Sequence, residues 1–184
     1  MPLPPLGPIA TPRLTLRDVA AADLADLMEV NGDQEVTRFL PYETWRSDAD
    51  AAAWLERMTA LVAQGSARQL VVARAGDGKV IGTVLLFRFD EGSARVELGY
   101  VLGRAHWRQG YASEALRAVV SRIVELGVRR VEAEVDPANA ASNRLLAGLG
   151  FRLEGFLRER WVAKGVARGV NVYGLLAREW AAPA

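Results

Sequence analysis

Trp107-Arg108-Gln109-Gly110-Tyr111-Ala112-Ser113-Glu114-Ala115 is the stretch on which the reading of this chain turns. It follows a strand-like run over residues 94–102. It opens a helix in which Ala112, Ala115, Leu116, Val119, Val120 and Ile123 recur at the 3.6-residue period. Glu114, Arg117, Arg122 and Glu125 take the other side, and Gly127 stands where a helix ends. Small residues at Gly110 and Ala112 let a ligand approach the backbone. The first turn of the helix would aim unpaired N–H groups, and the positive end of its dipole, at that ligand. This is an anion site, and a pyrophosphate fits it best. On spacing alone, an ordinary strand-to-helix turn at Gly110 is an equal alternative. No G-x-x-x-x-G-K-[ST] or G-x-G-x-x-G motif occurs, and Gly76-Asp77-Gly78 between β-branched runs is a hairpin turn.

Composition narrows the class. With 184 residues, 51% hydrophobic and 24% charged, the chain is globular and has length for one domain. A formal net charge of +1 with no basic stripe argues against a nucleic-acid partner. Cysteine is absent, so there is no disulfide frame, thiolate metal site or Cys nucleophile, which fits a reducing cytoplasm. The single histidine, His106, speaks against a His-based metal site. The Pro-rich start carries no positive n-region, and no apolar run reaches the ~20 residues that cross a bilayer. The expectation is a cytoplasmic protein with no metal and no membrane association.

Residues 1–12 are expected to form an extended arm, and 13–184 a single domain. Strands are predicted over 13–18, 69–75, 79–89, 94–102, 130–135, 151–158 and 171–177. Helices are predicted near 20–31, from Ser47 to Gly65, at the quoted stretch, and over 140–149. The strand–helix–strand order over 94–135 implies a right-handed crossover joining two parallel strands. A mixed α/β sheet with helices on both faces follows.

Glu97-Leu98-Gly99-Tyr100 before the loop and Asn139-Ala140-Ala141-Ser142-Asn143 after it carry a family resemblance. The chain resembles the GNAT N-acetyltransferases, most of all the branch of ribosomal-protein N-terminal acetyltransferases that includes RimJ and RimL. The likeness runs from Arg13-Leu14-Thr15-Leu16-Arg17 through Gly150-Phe151-Arg152-Leu153-Glu154-Gly155 and Leu175-Leu176 to Arg178-Glu179-Trp180. It implies the GNAT acyl-CoA N-acyltransferase fold, a six- to seven-stranded mixed sheet flanked by helices. It also implies direct transfer from acetyl-CoA to a primary amine, on a protein N-terminus or a small molecule. An acyl-CoA-binding module without catalysis is the alternative of another class.

The resemblance assigns roles residue by residue. Amides of Arg108, Gln109, Gly110, Tyr111, Ala112 and Ser113 would hold the pyrophosphate. Trp107 stands where the family usually begins with Gln or Arg, and packing is its other reading. The strands ending near Leu102 and Val135 would splay, so that the pantetheine arm pairs with backbone at Gly99, Tyr100, Val101 and Leu102. Asn139 and Asn143 would hydrogen-bond the cofactor, with turn formation as the alternative for Asn139. Glu97, on the opposite strand face from Val96, Leu98 and Tyr100, is the candidate base acting through a water, or else a structural ion pair. Many family members place a Tyr acid at the position of Leu146. Ser142 is the substitute, with helix capping as its alternative. Phe39, Leu40, Tyr42 and Trp45 belong to an aromatic loop that is either the acceptor wall or a hydrophobic lid over the core. Arg158, Arg160 and Arg168 form either a rim or a solvated face, and Gly169 stands where many relatives have Asp. An exposed closing strand makes a homodimer the expected assembly.

Overall fold

Leu70 and Val72 face one way along a strand, Val71 and Ala73 the other, and all four are buried. A strand covered on both faces lies inside a layered fold. The computed structural model describes residues 4–180. The chain runs β1 (Ile9–Ala10), β2 (Leu14–Asp18), α1 (Leu24–Asn31), α2 (Gln34–Thr37), α3 (Asp48–Ala63), β3 (Ala67–Arg74), β4 (Val80–Asp90) and β5 (Arg95–Leu102). It continues through α4 (Tyr111–Glu125), β6 (Arg130–Val135), α5 (Ala140–Gly148), β7 (Arg152–Ala163) and β8 (Val166–Leu176).

All the strands join one sheet in the order β1-β2-β3-β4-β5-β6-β8-β7. The β5–β6 pair is parallel, with α4 as the crossover, and the other pairs are antiparallel. The apolar stripe of α4, from Ala115 to Ile123, packs with Leu70, Val72, Val84, Val96 and Leu98 on one face of the sheet. On the other face Leu27 of α1 and Ala51, Trp54 and Met58 of α3 cover Val71, Ala73 and Val80. Ser47 starts α3 as expected, its N–H donating to Asp50 Oδ2 at 2.9 Å.

Three features depart from the expectation. Among the described residues the sheet has eight strands, where six to seven were expected, because Ile9 and Ala10 pair with Leu16 and Thr15. Two residues between Pro8 and Pro12 are too short to display a period of two. The described part of the N-terminal arm is docked: Leu6 is 1% exposed, and its carbonyl accepts from Arg122 Nε at 3.1 Å. Residues 1–3 of that arm lie outside the described residues, as do residues 181–184 at the other end of the predicted domain. A short helix, α2, follows Asp33, whose side chain accepts from the Glu35 N–H.

The last two strands are also longer than predicted. Lys164 (φ 53°) and Gly165 (φ 75°) make a two-residue turn with both central residues left-handed, as tight hairpins require. β7 is exposed along nearly its whole length, and its register slips twice. With no buried side to impose alternation, its sequence carries no clean strand pattern.

Candidate active site

The pairing of β5 with β6 covers Arg95↔Arg130, Val96↔Val131 and Glu97↔Glu132, then stops. β5 stays on β4 as far as Gly82↔Leu102, and β6 stays on β8 as far as Val135↔Asn171. The two strands therefore separate beyond Glu97, and among the described residues the β6-facing edge of Leu98–Leu102 has no strand partner. A cavity of ≈ 310 Å³ opens there. Its walls include Gly99, Tyr100 and Val101 on one strand, Val135 and Asp136 on the other, and Ser142 on α5.

The loop before α4 lies beyond the end of β5. Arg108 (φ 60°) and Gly110 (φ 80°) both take left-handed backbone, and Gly110 is the N-cap of α4. Among the described residues, the N–H groups of residues 108–113 have no hydrogen-bond partner. Six free donors at the start of a 15-residue helix form a cradle suited to a diphosphate. The loop is braced from several sides. Arg13 donates to the Gln109 carbonyl at 3.0 Å and to Glu114 Oε2 at 2.6 Å, and lies 4.5 Å above the Tyr111 ring. Trp107 is 41% exposed and its indole N–H donates to the Leu102 carbonyl at 2.7 Å. The Gln109 side chain donates to the Ala105 carbonyl. Trp107 and Gln109 thus support the loop with their side chains, and the Leu102 carbonyl is already engaged.

Glu97 lines the cavity and is 7% exposed. A bulge between Phe87 and Asp90 puts Arg88 in left-handed backbone (φ 52°). From there its guanidinium donates to Glu97 Oε2 at 2.8 Å and stands 3.5 Å from Glu134. Burial pushes the Glu97 carboxyl above the ordinary carboxylate range, and Arg88 pulls it part of the way back. Glu97 is thus ion-paired and cavity-lining at once. The other two cavity carboxylates are held similarly: Glu134 by Arg160 at 3.0 Å and the Trp161 indole at 2.7 Å, Asp136 by Arg168 at 3.4 Å. Arg160 and Arg168 are tied down rather than free, while Arg158 is exposed. A Cβ at Gly169 would meet the far edge of the exposed Phe156 ring, so a side chain there requires that ring to move.

The start of α5 separates the three polar candidates. Asn139 is the N-cap, its side-chain oxygen accepting from the Ser142 N–H at 3.1 Å, and it lines the cavity. Capping therefore belongs to Asn139 and leaves the Ser142 hydroxyl free of it. That hydroxyl lies 2.6 Å from the Tyr100 hydroxyl. Asn143 is consumed by the fold: its amide donates to the Asp136 and Asn139 carbonyls, and its oxygen accepts from Asn171 and Tyr173. It does not line the cavity, and its hydrogen bonds tie α5 to β8. Leu146 is fully buried in the core, so a Tyr hydroxyl there would have to displace packed side chains.

On the acceptor side, Phe39, Leu40 and Tyr42 line the cavity. Trp45 does not. It is 7% exposed and packs on Trp54 at 5.5 Å in the core beneath α3, the position of a core lid. His106 lies outside the cavity, its pKa lowered by burial and by Arg74 and Lys79. From sequence, Arg13 and Arg88 were not singled out as site residues, and Tyr100 was named only for its backbone. The strand pattern could have flagged Tyr100, whereas nothing local announces the bulge at Arg88. Among the described residues, no group of three or more His, Asp or Glu could hold a metal, and no helix is long and apolar enough to cross a membrane.

The acetyltransferase (GNAT) domain family matches residues 13–152. The chain belongs to this family. It is 35% identical to the uncharacterized N-acetyltransferase p20 of Bacillus licheniformis over 93% of this chain and 97% of that one. It is 26% identical to the ribosomal-protein-serine acetyltransferase of Escherichia coli over 70% of this chain and 71% of that one. A GCN5-related N-acetyltransferase structure from Brucella melitensis superposes with a TM-score of 0.86, at 25% identity, over 97% of this chain and 82% of that one. The chain is an acetyltransferase of the GNAT family, with likeness to the RimJ/RimL branch.

Proposed function

We propose that this acetyltransferase moves the acetyl group of acetyl-CoA directly to a primary amine, with a protein N-terminal α-amine as acceptor. One arrangement supports this most: the strand splay carries a cradle of free amides at one end and the buried Glu97 at the other. A diphosphate on residues 108–113 would let the pantetheine arm run along the unpartnered edge of β5 and deliver its thioester between Glu97 and Ser142. Glu97, holding a water, takes a proton from the incoming ammonium. An α-amine has a pKa of only ~7.7–8.0, so a carboxylate raised by burial suffices. No Cys is present to carry a covalent acetyl group, and direct transfer needs none.

A small-molecule amine is the second reading, favoured by a cavity of ≈ 310 Å³, a size typical of small-molecule sites. We also propose a homodimer, supported by exposed Leu153, Leu157 and Val162 on β7, the edge strand. CoA release measured against a panel of N-terminal peptides and small amines tests the enzymatic reading. Glu97→Gln should lower kcat about 100-fold while leaving acetyl-CoA binding by calorimetry within about twofold. Unchanged turnover in that variant removes Glu97 from the chemistry. Binding without amine-dependent CoA release from the wild type makes the protein a non-catalytic acyl-CoA module.

A further inference from the structure

Leu146 leaves this chain without a tyrosine where the resemblance would put the proton donor, yet a tyrosine hydroxyl does reach the cavity. Tyr100 sits three residues past the last β5–β6 pair, and Ser142 lies in the first turn of α5, which follows β6. Their hydroxyl oxygens are 2.6 Å apart, and both residues line the cavity. The contact bridges the two sides of the splay beyond Glu97. The Ser142 N–H is committed to Asn139, whereas the Ser142 hydroxyl has no partner besides Tyr100 among the described residues.

We infer that Tyr100 and Ser142 form a two-hydroxyl relay that protonates the leaving sulfur, with Ser142 as the immediate donor and Tyr100 as its resupply. The inference rests on the acetyltransfer reading above. A serine alone is a poor acid, and a hydrogen-bonded phenol behind it supplies the missing proton. Burial pushes the Tyr100 phenol up to about 12, so it stays loaded at every working pH. The protons balance. The acceptor ammonium first loses one proton to Glu97 through water. As the carbon–nitrogen bond forms and the carbon–sulfur bond breaks, Ser142 passes its hydroxyl proton to the sulfur and takes the Tyr100 proton in return. The second proton shed by the nitrogen returns to Tyr100 through solvent, so one proton is released per turnover.

Tyr100→Phe and Ser142→Ala, alone and together, test the relay in the full chain. Each single variant should lower kcat about 100-fold with the KM for acetyl-CoA kept within about threefold. The double variant should be no slower than the worse single, as expected for groups acting as one unit. The solvent deuterium isotope effect on kcat should shrink in all three, a readout that a packing role would not move. A Tyr100→Phe enzyme with kcat within twofold of wild type overturns the relay, as does a double variant whose loss is the product of the single losses. If the wild type releases no CoA with any amine, the acetyltransfer reading itself fails, an outcome distinct from either of these.

Discussion

Glu97 meets Arg88 because β4 slips its register, and that meeting sets how easily the carboxyl loses its proton. Burial raises its pKa, and the guanidinium 2.8 Å away favours the charged form. Removing the cation leaves burial unopposed, so the proton is held more tightly. Arg88→Gln should therefore move the acidic limb of the kcat/KM profile to higher pH, with activity below neutrality falling severalfold and activity at high pH nearly retained. A profile that stays in place, or moves to lower pH, contradicts this coupling. At the residue scale the sequence was partly legible. Alternation along β5 put Glu97 on its own face, whereas Asn139 and Ser142 were marked only by the family resemblance. Trp45 stayed open between acceptor wall and core lid, because an aromatic loop looks the same in sequence whether its rings point in or down. Its packing on Trp54 marks a core residue, so Trp45→Ala should cost about 3–5 kcal/mol of stability in denaturant unfolding. The remaining folded protein should keep the wild-type KM for its amine.

The loop before α4 is tied to the residues just before β2, through Arg13 on the Gln109 carbonyl and Glu114. Gly110 is left-handed at φ 80°, so a β-branched residue there strains the turn itself as well as crowding Arg13, which a Cβ would approach to 3.3 Å. Gly110→Val should abolish detectable acetyl-CoA binding in calorimetry. Arg13→Ala leaves the amides in place but frees the loop and Glu114, and should weaken binding about tenfold, or ~1.4 kcal/mol. Wild-type affinity in both variants would remove the loop from the site. The strand–loop–helix element was the most legible part of the chain because local rules agree there: apolar period, small residues and a cap. The β7–β8 hairpin was the least legible. Its turn is carried by Lys164-Gly165 rather than a stronger Asn-Gly signal, and β7 buries little.

Over the whole molecule, the order of strands and helices was readable because each buried element carries its own period, and the parallel crossover follows from the spacing of β5, α4 and β6. The splay could not be read from periodicity. It arises where β4 and β8 keep their hold on diverging neighbours, a property of the whole sheet that here was implied only by family resemblance. The open edge at β7 has a consequence for assembly. Leu153 and Val162 are 57% and 75% exposed, so charges at both positions should leave the fold intact. Light scattering should find a dimer for the wild type and a monomer for the Leu153→Glu, Val162→Glu double variant. A wild-type monomer contradicts the dimer. The account as a whole depends on where the diphosphate of coenzyme A is held. A crystal structure of the protein with acetyl-CoA should show phosphate oxygens within hydrogen-bonding distance of several amides from residues 108–113, with the thioester between Glu97 and Ser142. A diphosphate bound elsewhere, with those amides facing only solvent, would contradict it.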